Sequence, residues 1–122
     1  MTRIEFETVE SEIRKEKAET LGRAGERLEH ALQRLAVFRQ ELLASIAARG
    51  HGVHHGEEQF PVEIEQRIGE YMRLREQANA LRHSLIIQRE AVGLLCHEDV
   101  DRQYPLPGSM TPPGAARQTG KA

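Results

Sequence analysis

Apolar residues recur in a heptad pattern between residues 21 and 46. This spacing places their side chains along one face of an α-helix, as in coiled coils and other packed helices. The pattern predicts a long first helix that ends near Arg49, where Gly50 can serve as a left-handed C-terminal residue. The two rows of this seam are Leu21, Leu28, Leu35 and Leu42, and Ala24, Ala31 and Phe38.

The residues before the seam favour the same helix. Thr2 and Glu5 have the spacing of a capping box, in which each side chain accepts a hydrogen bond from the other residue's backbone N–H. Phe6, Val9 and Ile13 follow at helical spacing. The first few residues also alternate in polarity, so a short strand is the alternative, but the longer run favours a helix.

Two glycines, Gly22 and Gly25, interrupt the first helix. Each costs a helix interior about 1 kcal/mol relative to alanine. Either the helix kinks or breaks there, or the small residues let a partner helix approach its backbone. The heptad phase passes through both glycines without a shift, so both interpretations stay open.

A second seam predicts a second long helix from Pro61 to Leu95. The loop near residues 50–60 is rich in glycine and cannot hold a helix, whereas Pro61 suits a first helical turn. A short loop between two apolar faces predicts a helical hairpin. The rows of the second seam are Ile64, Tyr71, Ala78, Leu85 and Val92, and Leu74, Leu81 and Leu95.

Both apolar faces are wider than one neighbouring helix can cover, because the arc on the first helix spans roughly 160°. The sequence therefore predicts an all-α protein, with an antiparallel helical hairpin in residues 1–104 that dimerises into a four-helix bundle. The predicted interface residues of this bundle are Leu21, Leu28, Leu35, Phe38, Leu42, Tyr71, Leu81 and Leu85.

The residues after the second helix change character. The segment 97–104 favours a short helical turn that lays Val100 and Tyr104 back on the bundle, and Pro105 ends it. Residues 105–122 are rich in proline and glycine and predict a disordered tail. Docking of Pro105–Pro107 is the alternative for the start of this tail.

Composition narrows the function classes. The chain has a net charge of -2 with interleaved signs and only 4% aromatic residues, which disfavours nucleic-acid binding. No apolar run is long enough for a membrane span or a signal peptide. One cysteine, Cys96, excludes an internal disulfide and favours a reducing compartment. We therefore expect a cytoplasmic protein without a membrane partner.

Three histidines in the loop are the candidate metal ligands. His51, His54 and His55 precede Glu57 and Glu58, and imidazole and carboxylate groups bind zinc, nickel or copper. Their spacing is not that of a known structural site. A solvated loop is the favoured interpretation, and no cofactor is predicted.

Three arginines, Arg75, Arg82 and Arg89, recur every seven residues along the second helix. The favoured interpretation is a line of salt bridges to Glu29 or to glutamates of a second chain. The alternative is a line of guanidinium groups that binds an anionic ligand or nucleic-acid phosphates. Gln88, at a seam position, is predicted to set register or oligomeric state.

No residue set predicts an enzyme. Cys96 and His97 lie side by side near several acids, but neither an oxyanion-forming loop nor an independent base accompanies them. The favoured function is a non-enzymatic interaction or structural module whose surface or tail contacts another protein. The alternative is a small regulator that binds metal through the histidine loop or an anionic ligand through the arginine line.

Two blocks resemble a family of short, uncharacterised bacterial helical proteins. The first contains Leu-Gly-Arg-Ala-Gly at residues 21–25, and the second contains Gln-Arg-Glu-Ala at residues 88–91, with Gly-Leu at residues 93–94. Val100, Tyr104 and residues 105–107 follow the second block. The resemblance implies a helical fold of this kind and supplies no catalytic residues.

Overall fold

The computed structural model of the chain describes residues 2–50 and 61–110. These residues form three helices, α1 (Arg3–Gly50), α2 (Val62–Ala91) and α3 (Glu98–Gln103), and contain no strand. The two long helices pack against each other. The prediction of an all-α protein is therefore confirmed. Within the described ranges, no helix has both the length and the apolarity needed to cross a membrane.

The first helix starts at the predicted capping box. The backbone N–H of Glu5 donates to Thr2 Oγ1 at 3.2 Å, and the backbone N–H of Thr2 donates to a carboxylate oxygen of Glu5 at 2.9 Å. These bonds satisfy two donors that a helix start leaves without an intrahelical partner. The strand alternative is thereby excluded.

The first helix is continuous through both glycines, so a break at this point is excluded. Gly22 is exposed, and a Cβ atom there would meet no atom within 4 Å. Gly25 is buried, and a Cβ atom there would lie 3.0 Å from the phenolic oxygen of Tyr104. Close approach is therefore the role of Gly25, and the group that approaches is a side chain from the C-terminal segment.

The second helix ends at Ala91, four residues before the predicted end at Leu95. Gly93 adopts a φ of 92°, a left-handed conformation that favours glycine. The N–H of Leu94 donates to the carbonyl of Arg89 at 2.9 Å, and the N–H of Gly93 donates to that of Glu90 at 3.0 Å. This pair of bonds is a Schellman motif, which terminates the helix.

The chain divides into two compact units, and each long helix contributes to both. Unit 1 comprises Met1–His30 and Ala80–Pro105. Its described core is small and includes one residue of α3, Val100, which is 1% exposed. The sequence prediction that Val100 packs back on the helices is confirmed. The core residues of unit 1 are Ala24, Leu28, Leu85 and Val100.

Unit 2 comprises Ala31–Asn79 and Leu106–Ala122. The ring of Tyr71 is fully buried here, and its hydroxyl donates to the carbonyl oxygen of Gly108 at 2.7 Å. The N–H of Met110 lies 3.3 Å from the sulfur of Met72. Residues 106–110 therefore pack on this unit. Its core residues are Ala31, Leu35, Leu42, Ile64, Ile68, Tyr71 and Ala78.

Two predicted features lie outside the described residues. The loop with His51, His54 and His55 falls within residues 51–60, and the later part of the predicted tail falls within residues 111–122.

Candidate functional site

Most residues predicted for the interface of a bundle are buried within this chain. Their side chains already contribute to the core of unit 1 or unit 2, and they leave little apolar surface for a second chain. Leu21, Phe38 and Leu81 are half-buried. The buried members are Leu28, Leu35, Leu42, Tyr71 and Leu85.

Phe38 has a cationic partner in unit 2. The guanidinium carbon of Arg67 lies 5.4 Å from the centre of the Phe38 ring, within the range of a cation–π contact. Arg67 also donates to the hydroxyl oxygen of Ser45 at 3.2 Å. The ring of Phe38 is thus covered in part by this chain.

The three heptad-spaced arginines bind the C-terminal segment. In unit 1, Arg89 donates to the carbonyl oxygen of Cys96 at 3.0 Å, and Arg82 forms an ion pair with Asp101. In unit 2, Arg75 donates to the carbonyl oxygen of Pro107 at 2.7 Å. The partners of these arginines are therefore one aspartate and two backbone carbonyls, in place of the predicted partner Glu29.

Unit 1 exposes an apolar row at the start of α1. All described side chains from Thr2 to Thr20 are exposed. Phe6, Val9 and Ile13 follow at intervals of three and four residues, so they share one face of the helix. Phe6 is 58% exposed and Ile13 is 45% exposed. We call these three residues the N-terminal strip.

An open groove of about 450 Å³ continues from the strip between α1 and the end of α2. On α1 it is lined by Ile13, Thr20 and Leu21, with Glu16 and Lys17 at the same surface. On the other side it is lined by Gln88 and Ala91 of α2 and by Val92, which directly follows this helix.

Gln88 gives this groove a polar wall. Its side-chain N–H donates to the hydroxyl oxygen of Ser84 at 3.3 Å, and its side-chain oxygen is buried without a hydrogen-bond partner among the described residues. The residue is half-buried. Its role in setting register or oligomeric state stays a prediction.

The strip and the groove form one continuous surface because they share a face of α1. On a helical wheel of about 100° per residue, Phe6, Val9, Ile13 and Thr20 lie within an arc of roughly 60°. Apolar side chains in such an arc can bind the apolar face of another helix, with i, i+3 and i+7 anchors. The arrangement supports recognition of a helix.

The sequence predicts only part of this surface. The spacing of Phe6, Val9 and Ile13 places them on one face of a helix, but it does not show whether other residues cover that face. Helix α1 has 48 residues and α2 has 30. Gly93 contributes to this difference because it ends α2 at Ala91, before the predicted end at Leu95.

Cys96 and His97 lie among the described residues, whereas the candidate metal ligands His51, His54 and His55 lie outside them. Cys96 is exposed, and His97 Nε2 lies 3.0 Å from a carboxylate oxygen of Glu90. Across residues 2–50 and 61–110, no three side chains of His, Cys, Asp or Glu come together to hold a metal ion.

Comparison with protein-family models, with curated proteins and with solved structures finds no match to this chain.

Proposed function

We propose that this chain is a non-enzymatic helical interaction module that self-associates through the N-terminal strip and groove of unit 1. The observation that carries the proposal is the exposure of the entire first part of α1, including Phe6, Val9 and Ile13. Burying such side chains against a partner contributes about 25 cal/mol for each Å² of apolar surface removed from water.

In this proposal two copies complete a four-helix bundle. Each copy contributes the start of α1 and the end of α2, the two elements that border the groove. A two-fold axis between them makes the interface self-complementary, so one surface serves both copies. The antiparallel hairpin predicted from sequence supplies both helices from one chain, in line with the resemblance to short helical proteins.

A matched pair of substitutions on α1 tests the proposal. Val9 lies in the strip and is 43% exposed, whereas Val37 lies in unit 2 and is 56% exposed. Val9→Asp and Val37→Asp make the same chemical change on one helix. The first places a carboxylate in the proposed interface and should abolish self-association. The second should leave it intact.

Light scattering and sedimentation of the full chain at micromolar concentration give the readout. The wild type and Val37→Asp should have twice the 13.8 kDa mass of one chain, and Val9→Asp should have the mass of one chain. Circular dichroism should show equal helix content in all three. A wild type that stays monomeric, or equal effects of the two substitutions, would contradict the proposal.

A further inference from the structure

We infer that the occupant of the groove is the first part of α1 from a second copy, running antiparallel with the two-fold axis near Ile13. The inference rests on the proposed function and adds the identity, direction and register of the partner segment. It follows from the position of the groove relative to the strip and from the order of charges along α1.

The position of the groove fits an antiparallel partner. Around a two-fold axis at Ile13, residues at equal distances before and after it face each other, so Phe6 of one copy lies opposite Thr20 of the other. Thr20 and Leu21 line the groove. Phe6, the most exposed side chain of the strip, therefore enters the groove of the second copy. The groove has a volume of about 450 Å³, which accommodates a phenyl ring.

The order of charges along α1 favours the same direction. The helix begins with an acidic segment, residues 3–12, which carries a net charge of -3, and a weakly basic segment, residues 14–20, with a net charge of +1 follows after Ile13. Antiparallel pairing places the acidic segment of one copy against the basic segment of the other, whereas parallel pairing places like charges together, which is unfavourable. The first segment contains Glu5, Glu7, Glu10 and Glu12 with one basic residue, Arg3, and the second contains Arg14, Lys15 and Lys17 with two acidic residues, Glu16 and Glu19.

One charge pair makes this direction specific. Glu10 and Lys17 lie on the same edge of the helical face, within roughly 20° of each other on the wheel. Within one copy they are about 10 Å apart along the axis, because each residue rises about 1.5 Å. An ion pair between Glu10 and Lys17 therefore forms only between copies. Glu10 also meets Arg14 of its own helix at 3.1 Å, in an exposed pair.

Charge reversal tests the register. Glu10→Lys and Lys17→Glu should each weaken the dimer about tenfold, because each replaces two attractive pairs by two repulsive ones. The double variant restores opposite charges in both pairs and should return the dissociation constant to within about twofold of wild type. In a parallel dimer each of these residues lies at the level of the same residue in the other copy, so the pair is like-charged both before and after the reversal. Single variants that leave the dissociation constant unchanged would overturn the inference.

Disulfide cross-linking tests the direction independently. In a Cys96→Ser background, Ile13→Cys lies at the two-fold axis and should cross-link two copies under oxidising conditions. Thr20→Cys should not, because the two copies of this residue lie about 21 Å apart along the axis in the antiparallel arrangement. In a parallel dimer both variants would cross-link.

The outcomes separate this inference from the proposed function. A wild-type chain that is monomeric contradicts the proposed function itself. A wild-type dimer in which Thr20→Cys cross-links as readily as Ile13→Cys leaves the proposed function standing and overturns the antiparallel arrangement.

Discussion

At the scale of single residues, two glycines three positions apart on α1 have different surroundings. Gly22 faces open space, whereas Gly25 lies under the hydroxyl of Tyr104. The intrinsic cost of glycine in a helix is the same at both positions. Only at Gly25 does the missing side chain make room for another group, so substitutions of the two glycines should differ in effect.

Gly22→Ala should raise the free energy of unfolding by about 1 kcal/mol, the difference between the two residues in a helix. Gly25→Ala should gain clearly less, because its methyl group would lie 3.0 Å from the Tyr104 hydroxyl oxygen. Urea denaturation measures both values. Equal gains at the two positions would show that Tyr104 does not constrain Gly25.

Tyr104→Phe provides the control for this comparison. It removes the hydroxyl oxygen, and the nearest remaining atom of the ring is 3.9 Å from the Cβ position, an ordinary contact distance. Gly25→Ala in that background should therefore gain about as much as Gly22→Ala. A double-mutant cycle isolates the coupling between residues 25 and 104 from the separate effect of losing the hydroxyl.

Local features were predictable at this scale, and long-range ones were not. The capping box at Thr2 and Glu5 involves residues three apart, so its spacing alone carries the geometry. The contact between Gly25 and Tyr104 joins distant parts of the chain. The sequence leaves a kink or break and close approach by a partner helix as alternatives at this glycine, and nothing in a single sequence identifies the approaching side chain.

At the scale of elements, three arginines of α2 hold the C-terminal segment. Their spacing predicted a line along one side of the helix, and this line exists. Their partners were not predictable, because two of them are the backbone carbonyls of Cys96 and Pro107, which every residue type provides. The predicted end of α2 at Leu95 was wrong. The apolar row continues through Val92 and Leu95, and this pattern favoured a longer helix although Gly93 ends it at Ala91.

Arg75→Ala should loosen residues 106–110. The side chain of Arg75 donates to the carbonyl of Pro107 in a partly buried hydrogen bond, and its loss should cost about 1 kcal/mol of unfolding free energy. Amide hydrogen exchange in residues 106–110 should accelerate, since fewer bonds hold this segment.

Arg73→Ala is the matched control, because Arg73 is an exposed arginine two positions away on the same helix. It should change neither the unfolding free energy nor the exchange of residues 106–110 by a comparable amount. If the two substitutions have equal effects, the contact between Arg75 and Pro107 does not anchor the segment.

At the scale of the whole molecule, buried and exposed apolar residues are distributed unevenly. Within residues 2–50 and 61–110, unit 2 holds seven of the eleven buried core residues, whereas unit 1 holds eight of the eleven large apolar residues that are exposed. Apolar burial is the main favourable term in folding. Unit 1 therefore has more to gain from a partner, which sequence periodicity alone could not show because each of the two seams runs through both units.

Hydrogen exchange at two protein concentrations should reveal this difference. Above the dissociation constant of the proposed dimer, amides in residues 6–21 should be protected, because the partner removes the open states of this helical segment. On dilution their exchange should accelerate, whereas the segment from Leu35 to Leu42 in unit 2 should be unaffected. Val9→Asp should show the dilute pattern at both concentrations, and Val37→Asp should behave as wild type. Concentration-dependent protection centred on unit 2 instead would place the self-association surface there and exclude the N-terminal strip.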